Sequence, residues 1–173
     1  MEPFQPPEAC EFLTKRSGQM DDGTQAPQLA NRLGNIPLAL DLAGAYLAQT
    51  KLPLSEFGEL LGQRLPPAVR QDATITQDGA VRLDGRPPDA KCLATTLLGI
   101  TLERLAAENA AALDLLALSA FLAGSDVFLP LLRDGAAHLL PRLSKTVADD
   151  GLLEAAVTAL VKYGIAPSAG ESL

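Results

Sequence analysis

The sequence predicts an all-α protein in two parts: a small helical bundle followed by a second, three-helix domain. Leucine and alanine dominate a chain that is 47% apolar but only 4% aromatic, with no tryptophan. That composition suits packed helices better than sheets, whose pleated surfaces favour β-branched and aromatic residues. Apolar residues also recur at helical spacing on both sides of a stretch rich in proline and glycine, residues 66–91. With 173 residues, the chain can build one large or two small domains.

The first part covers residues 5–65 and reads as four helices. Residues 7–18 carry Ala9, Phe12 and Leu13 on one side and end at Gly18, and the polar run from Gln19 to Gln25 is loop-like. Gln28 to Leu33 forms a second helix that stops at Gly34. Leu38 to Ala48 forms a third, apolar almost all round and therefore expected to be buried. After Pro53, Leu54, Phe57, Leu60, Leu61 and Leu65 mark the fourth, with Ser55 as its expected N-cap.

Residues 66–91 are expected to be a flexible linker. Thr74-Ile75-Thr76 and Val81-Arg82-Leu83 flank Asp78-Gly79, the signature of a tight hairpin, and make a hairpin the alternative. A lone hairpin is marginal in water.

Helical spacing returns in the second part, residues 92–173. Leu93, Leu97, Ile100 and Leu105 share one face, and Leu113, Leu116, Ala117 and Phe121 form the stripe of the next helix, which Gly124 stops. Pro130 starts a short third element. A last helix opens at Asp149 or Asp150, turns Leu152, Leu153, Ala156, Val157, Leu160 and Val161 inward, and ends at Tyr163-Gly164. Ile165-Ala166 is expected to begin a strand. The pattern is that of a truncated winged-helix-like domain whose wing is incomplete.

The most informative stretch is Leu33-Gly34-Asn35-Ile36-Pro37-Leu38-Ala39-Leu40. Glycine closes a helix in the left-handed conformation without steric cost, and proline opens the next, where its missing N–H is not needed. The corner aims a fresh helix N-terminus outward, and its N–H groups and dipole suit an electron-rich or phosphate-bearing ligand.

These residues resemble the glycine-x-proline-leucine motif of NB-ARC domains, the nucleotide-binding switch module of STAND-type signalling ATPases. The usual form is Gly-Leu-Pro-Leu-Ala-Leu. Here two residues, Asn35 and Ile36, separate Gly34 from Pro37, and asparagine is the next best residue for positive φ. Further pieces follow the family's order. Met1-Glu2-Pro3-Phe4 with Glu8-Ala9 and Phe12-Leu13 is similar to the start of its helical subdomain. Leu93-Ala94-Thr95-Thr96-Leu97 through Leu102-Glu103-Arg104-Leu105 is similar to the start of its winged-helix subdomain, and Ala111 to Leu116 with Ser119 to Leu122 to the next helix. The bacterial forms, where this block sits between the ATP-binding core and a tetratricopeptide array, resemble it most.

The resemblance implies a regulatory lid and lever in an ADP/ATP-dependent signalling switch. In that family the ADP state is closed, and exchange for ATP frees the winged helix and permits oligomerisation. The implied nucleotide contacts are Pro37 and Leu38, with Ile36 packing behind them, and the implied hinge is residues 66–91. The chain carries no Gly-x-x-x-x-Gly-Lys-Ser/Thr loop and no strand ending in an Asp pair for Mg²⁺. It is therefore expected to be no enzyme by itself, with no catalytic residue and no metal ligand. ADP or ATP is expected only beside a P-loop domain supplied in cis or in trans.

Other features carry blander readings. His138 has no nearby serine, cysteine or acid at catalytic spacing and is expected to be a partly buried structural residue. Asp21-Asp22 and Asp149-Asp150 read as caps and dipole partners rather than catalytic or metal-binding pairs. Lys15-Arg16 reads as the solvated end of the first helix.

A net charge of −7 argues against a nucleic-acid groove. Outward cations are limited to Lys162 on the last helix, and Arg133 and Arg142 before it. A winged-helix transcription regulator is therefore a lesser alternative to a stand-alone helical interaction module that self-associates or docks on a protein partner. Cys10 and Cys92 lack metal-ligand spacing. The acidic start of the chain lacks a secretory h-region, and the apolar runs 36–48 and 110–123 are too short to span a bilayer. A cytoplasmic protein, away from the membrane, is expected.

Overall fold

The computed structural model describes residues 2–20, 23–65, 73–75, 81–83, 90–122 and 129–166, with backbone alone for both strands and for 122 and 129–131. Among the described residues the fold is all-α apart from one short strand pair. The chain divides into two compact units, Met1–Thr101 and Leu102–Leu173.

In the first unit, α1 (Pro6–Ser17) starts on a capping box between Gln5 and Glu8 and stops at Gly18, which is left-handed (φ 64°). α2 (Gln25–Arg32), α3 (Pro37–Thr50) and α4 (Leu54–Arg64) complete a bundle in which α1 packs on α2 and α3, and α2 on α4. α3 runs through the centre. Ala39, Leu40, Leu42, Ala43, Ala45, Tyr46 and Leu47 are all buried, as its apolar character predicts. The Tyr46 ring meets that of Phe57 on α4 at 5.4 Å.

Ser55 is not the N-cap of α4. Pro53 occupies that position, and Ser55 lies inside the first turn. Proline's fixed φ and absent N–H already suit it to a helix start.

Two strands occur within 66–91: β1 (Ala73–Ile75) and β2 (Val81–Leu83) pair antiparallel, Thr74 opposite Arg82. This is the pairing that the flanks of Asp78-Gly79 offer, the hairpin given above as the alternative. The rest of 66–91, up to Ala90, lies outside the described residues.

α5 (Ala90–Glu108) crosses from one unit to the other, because the division falls between Thr101 and Leu102. Leu93, Leu97, Ile100 and Leu105 are buried, as their spacing predicts.

The second unit continues with α6 (Ala110–Leu122), α7 (Leu129–Asp134), a 3₁₀ turn (Ala136–His138), α8 (Pro141–Ala148) and α9 (Asp150–Lys162). α9 packs on α6 and α8, and α6 on α8. Several expectations change here. α6 buries Ala112 and Leu115 rather than the stripe through Leu113, and Phe121 is 87% exposed. Its sequence is apolar nearly all round, so periodicity cannot choose a face. The choice accompanies a pairing of Asp114 with Arg142 on α8.

α8 is a separate helix beyond the short element expected to start at Pro130, and its apolar positions are few. α9 buries Leu153, Ala156 and Leu160, while Leu152 and Val157 stay exposed. Ile165 and Ala166 do not begin a strand. Their N–H groups donate to the Leu160 carbonyl, closing the end of α9 as a turn. Gly124 lies outside the described residues.

Candidate functional site

The corner between α2 and α3 takes its shape from main-chain hydrogen bonds. Asn35 N–H donates to the Ala30 carbonyl at 3.0 Å and Gly34 N–H to the Asn31 carbonyl at 2.9 Å. Together they form a Schellman closure. Gly34 and Asn35 are both left-handed, φ 65° and 54°. Glycine reaches this region freely, and asparagine more easily than other side-chain-bearing residues, so the residue pair suits its backbone.

Pro37 takes the first position of α3, with Ile36 as N-cap and no side chain capping the helix. Leu38 stands 52% exposed at the second position, although Ala39, Leu40 and Leu42–Leu47 after it are buried. The chain's first residues also reach this place. Phe4 N–H donates to the Asn35 carbonyl at 2.8 Å, and the Phe4 ring meets Phe12 at 5.5 Å.

Pro37 and Leu38 therefore lie together at an open helix N-terminus. Asn35 Oδ1, two residues before Pro37, is buried and without a hydrogen-bond partner. Sequence reasoning found Asn35 as a backbone residue but had no signal for its unsatisfied side-chain oxygen. Asp41, in the second turn of α3, accepts from Arg16 Nε at 2.6 Å, so Arg16 is paired rather than simply solvated. Lys15 is exposed, as expected.

A separate groove of about 170 Å³ lies between α2 and α4, with Gln28, Arg32, Ser55 and Glu59 on its rim. The Arg32 guanidinium lies over Gly58, where an added Cβ would stand 3.0 Å from Nη1.

The other candidates disperse. His138 is exposed on the 3₁₀ turn, not partly buried. Asp149 caps α9 by accepting from Leu152 N–H at 3.0 Å. Asp150 pairs with Arg133, and Arg142 forks onto Asp114 at 2.6 and 3.2 Å, holding its guanidinium further above its ordinary pKa. Asp21 and Asp22 lie outside the described residues.

Glu108, at the end of α5, accepts from Tyr163 OH at 2.7 Å and Arg104 Nε at 2.7 Å. Burial, then the bond to Glu108, pushes the Tyr163 phenol up to about 12. Among the described residues no group of three or more His, Cys, Asp or Glu is placed to hold a metal ion, and no helix is long and apolar enough to cross a membrane.

Fold and site thus define an all-α protein with an open, proline-started helix corner. Compared with protein-family models, curated proteins and solved structures, the chain has no match.

Proposed function

We propose that the chain is the regulatory lid and lever of an ADP/ATP-dependent switch, acting on a nucleotide held by a P-loop domain supplied in cis or in trans. The first unit is the lid and the second a winged-helix-type lever. The observation that carries the reading is the corner. Its left-handed pair, Gly34 and Asn35, brings Pro37 and an exposed Leu38 to the start of a buried helix. An apolar side chain beside free N–H groups suits the base or ribose of a nucleotide whose phosphates are held elsewhere. The chain itself performs no chemistry in this scheme. Differential contact with ADP and ATP would shift a closed–open equilibrium.

The test is a thermal melt of the chain, alone and mixed with a P-loop protein encoded beside it, with and without millimolar ADP. ADP should leave the melt of the chain alone unmoved and should raise that of the mixture. Leu38→Asp should abolish the rise without changing the melt of the chain alone. No ADP effect in the mixture, or one indifferent to Leu38→Asp, refutes the lid.

A second reading, a stand-alone helical interaction module, is favoured by Phe121 and Leu140 in the second unit, 87% and 69% exposed. Concentration-dependent self-association without nucleotide would support it. A DNA-binding regulator is less well supported, because Arg133 and Arg142 are both engaged by acids of the same unit.

A further inference from the structure

Within the first unit, α1 buries Ala9 and Leu13 on one side. On another it leaves Glu8, Glu11 and Lys15 exposed, at the spacing that stacks side chains on one helix face. Phe12 lies among them, half-buried, and Phe4 reaches the same place from the segment before the helix. These five side chains line a cleft of about 250 Å³, open to solvent.

The walls of the cleft are fixed before any ligand arrives. Phe4 N–H donates to the Asn35 carbonyl at 2.8 Å, and the Phe4 ring meets that of Phe12 at 5.5 Å and a tilt of 51°. Glu8 Oε2 accepts from Gln5 N–H at 3.1 Å, as half of the capping box. Walls already in place lower the cost of ordering them on binding.

Their chemistry selects the occupant. Aromatic ring faces carry negative potential, and two carboxylates stand beside them, so the cleft complements a positive charge. An apolar stem can lie along the rings while its charged head reaches Glu8 and Glu11. A guanidinium suits this better than an ammonium, because it is planar, weakly hydrated, stacks on rings and forks onto a carboxylate. Lys15, one turn beyond Glu11, repels further positive charge. The cleft therefore suits one arginine rather than a basic run.

We propose that this cleft docks a single arginine side chain of a partner peptide. Its open side leaves the peptide main chain outside while the side chain enters. The proposal goes beyond the lid reading and does not rest on it, since it needs neither nucleotide nor P-loop domain.

Titration of the isotope-labelled full chain with acetyl-glycyl-arginyl-glycinamide, without nucleotide, tests this. The amide resonances of Phe4, Glu11 and Phe12 should shift saturably, and those of the second unit should stay still. The citrulline counterpart, of the same shape but uncharged, should bind about tenfold more weakly, as should the arginine peptide to Glu11→Gln, each losing a charge-assisted hydrogen bond. The lysine counterpart, or Phe12→Leu, should weaken binding about threefold, the share of a stacked cation at an exposed site. Lys15→Gln should tighten it about twofold by removing a repulsion.

The absence of a saturable shift, equal binding of the citrulline or lysine counterpart, or indifference to Glu11→Gln would each overturn the proposal. Guanidinium ion alone, bound as tightly as the peptide, would make this a small-cation site and overturn it equally. Glu11 is exposed, so its substitution leaves the fold in place for the comparison.

Discussion

Gly44→Ala tests the packing of the first unit most sharply, because two effects of opposite sign meet at one atom. In an exposed helix, alanine for glycine stabilises by about 1 kcal/mol. At Gly44 the new Cβ would stand 2.5 Å from Arg16 Cγ and 2.8 Å from Arg16 Cβ. A rotamer change can move Cγ, but Cβ moves only with the backbone of α1, so the two helices must separate. Overpacking of this kind costs about 1–3 kcal/mol. Displacing Arg16 also breaks its pair with Asp41. Both side chains are more than a third exposed, so that loss is within about 0–1 kcal/mol.

The sum is a net destabilisation of about 0–3 kcal/mol, centred near 1.5, with a Tm lowered by roughly 4–8 °C per kcal/mol for a unit of this size. Urea or thermal unfolding followed by circular dichroism measures it. Arg16→Ala removes Cγ and the ion pair but keeps Cβ. In that background Gly44→Ala should cost less, with a coupling of about 0.5–1 kcal/mol. If Gly44→Ala instead raises stability by the full propensity gain, α1 and α3 do not approach each other as described and the reasoning fails.

Three further outcomes follow from particular residues. At the corner, Asn35→Gly should hold or slightly raise stability, while Gly34→Ala should cost about 1–2 kcal/mol because its φ is left-handed; comparison of the two melts checks this. Tyr163 has a folded pKa near 12, above its ordinary value of 10, so its contribution is complete below pH 10 and disappears as pH rises through 12. Tyr163→Phe should therefore lower stability at neutral pH by about 1 kcal/mol and flatten the loss above pH 10, read from unfolding midpoints across that range. Asp149→Ala should cost about 1 kcal/mol by removing the cap on Leu152 N–H, and Asp149→Asn should restore most of it.

Much of the fold was legible in the sequence because local chemistry and tertiary packing agree there. Gly18, Gly34 and Pro37 punctuate helices for backbone reasons that no neighbour alters. The buried positions of α3 and α5 follow from apolar spacing, and Asp149 declares its cap. Legibility fails where the pattern is degenerate. α6 is apolar on nearly every side, so its inward face follows from contacts with other helices and from the Asp114–Arg142 pair, 28 residues apart in the chain. α8 carries too short an apolar signal to be seen alone, and the exposure of His138 depends on the turn that holds it.

The candidate site divides in the same way. Sequence alone determined the corner: a glycine, an asparagine tolerant of positive φ and a proline dictate a helix stop and start within four residues, because these are constraints on single backbones. Only the tertiary structure decided that Leu38 stays exposed while Ala39, Leu40 and the middle of α3 are buried, that Phe4 returns to bond Asn35, and that Arg16 lies where a side chain on residue 44 would be. Those facts depend on which surfaces the packed helices cover, a property of distant pairs that no single segment encodes.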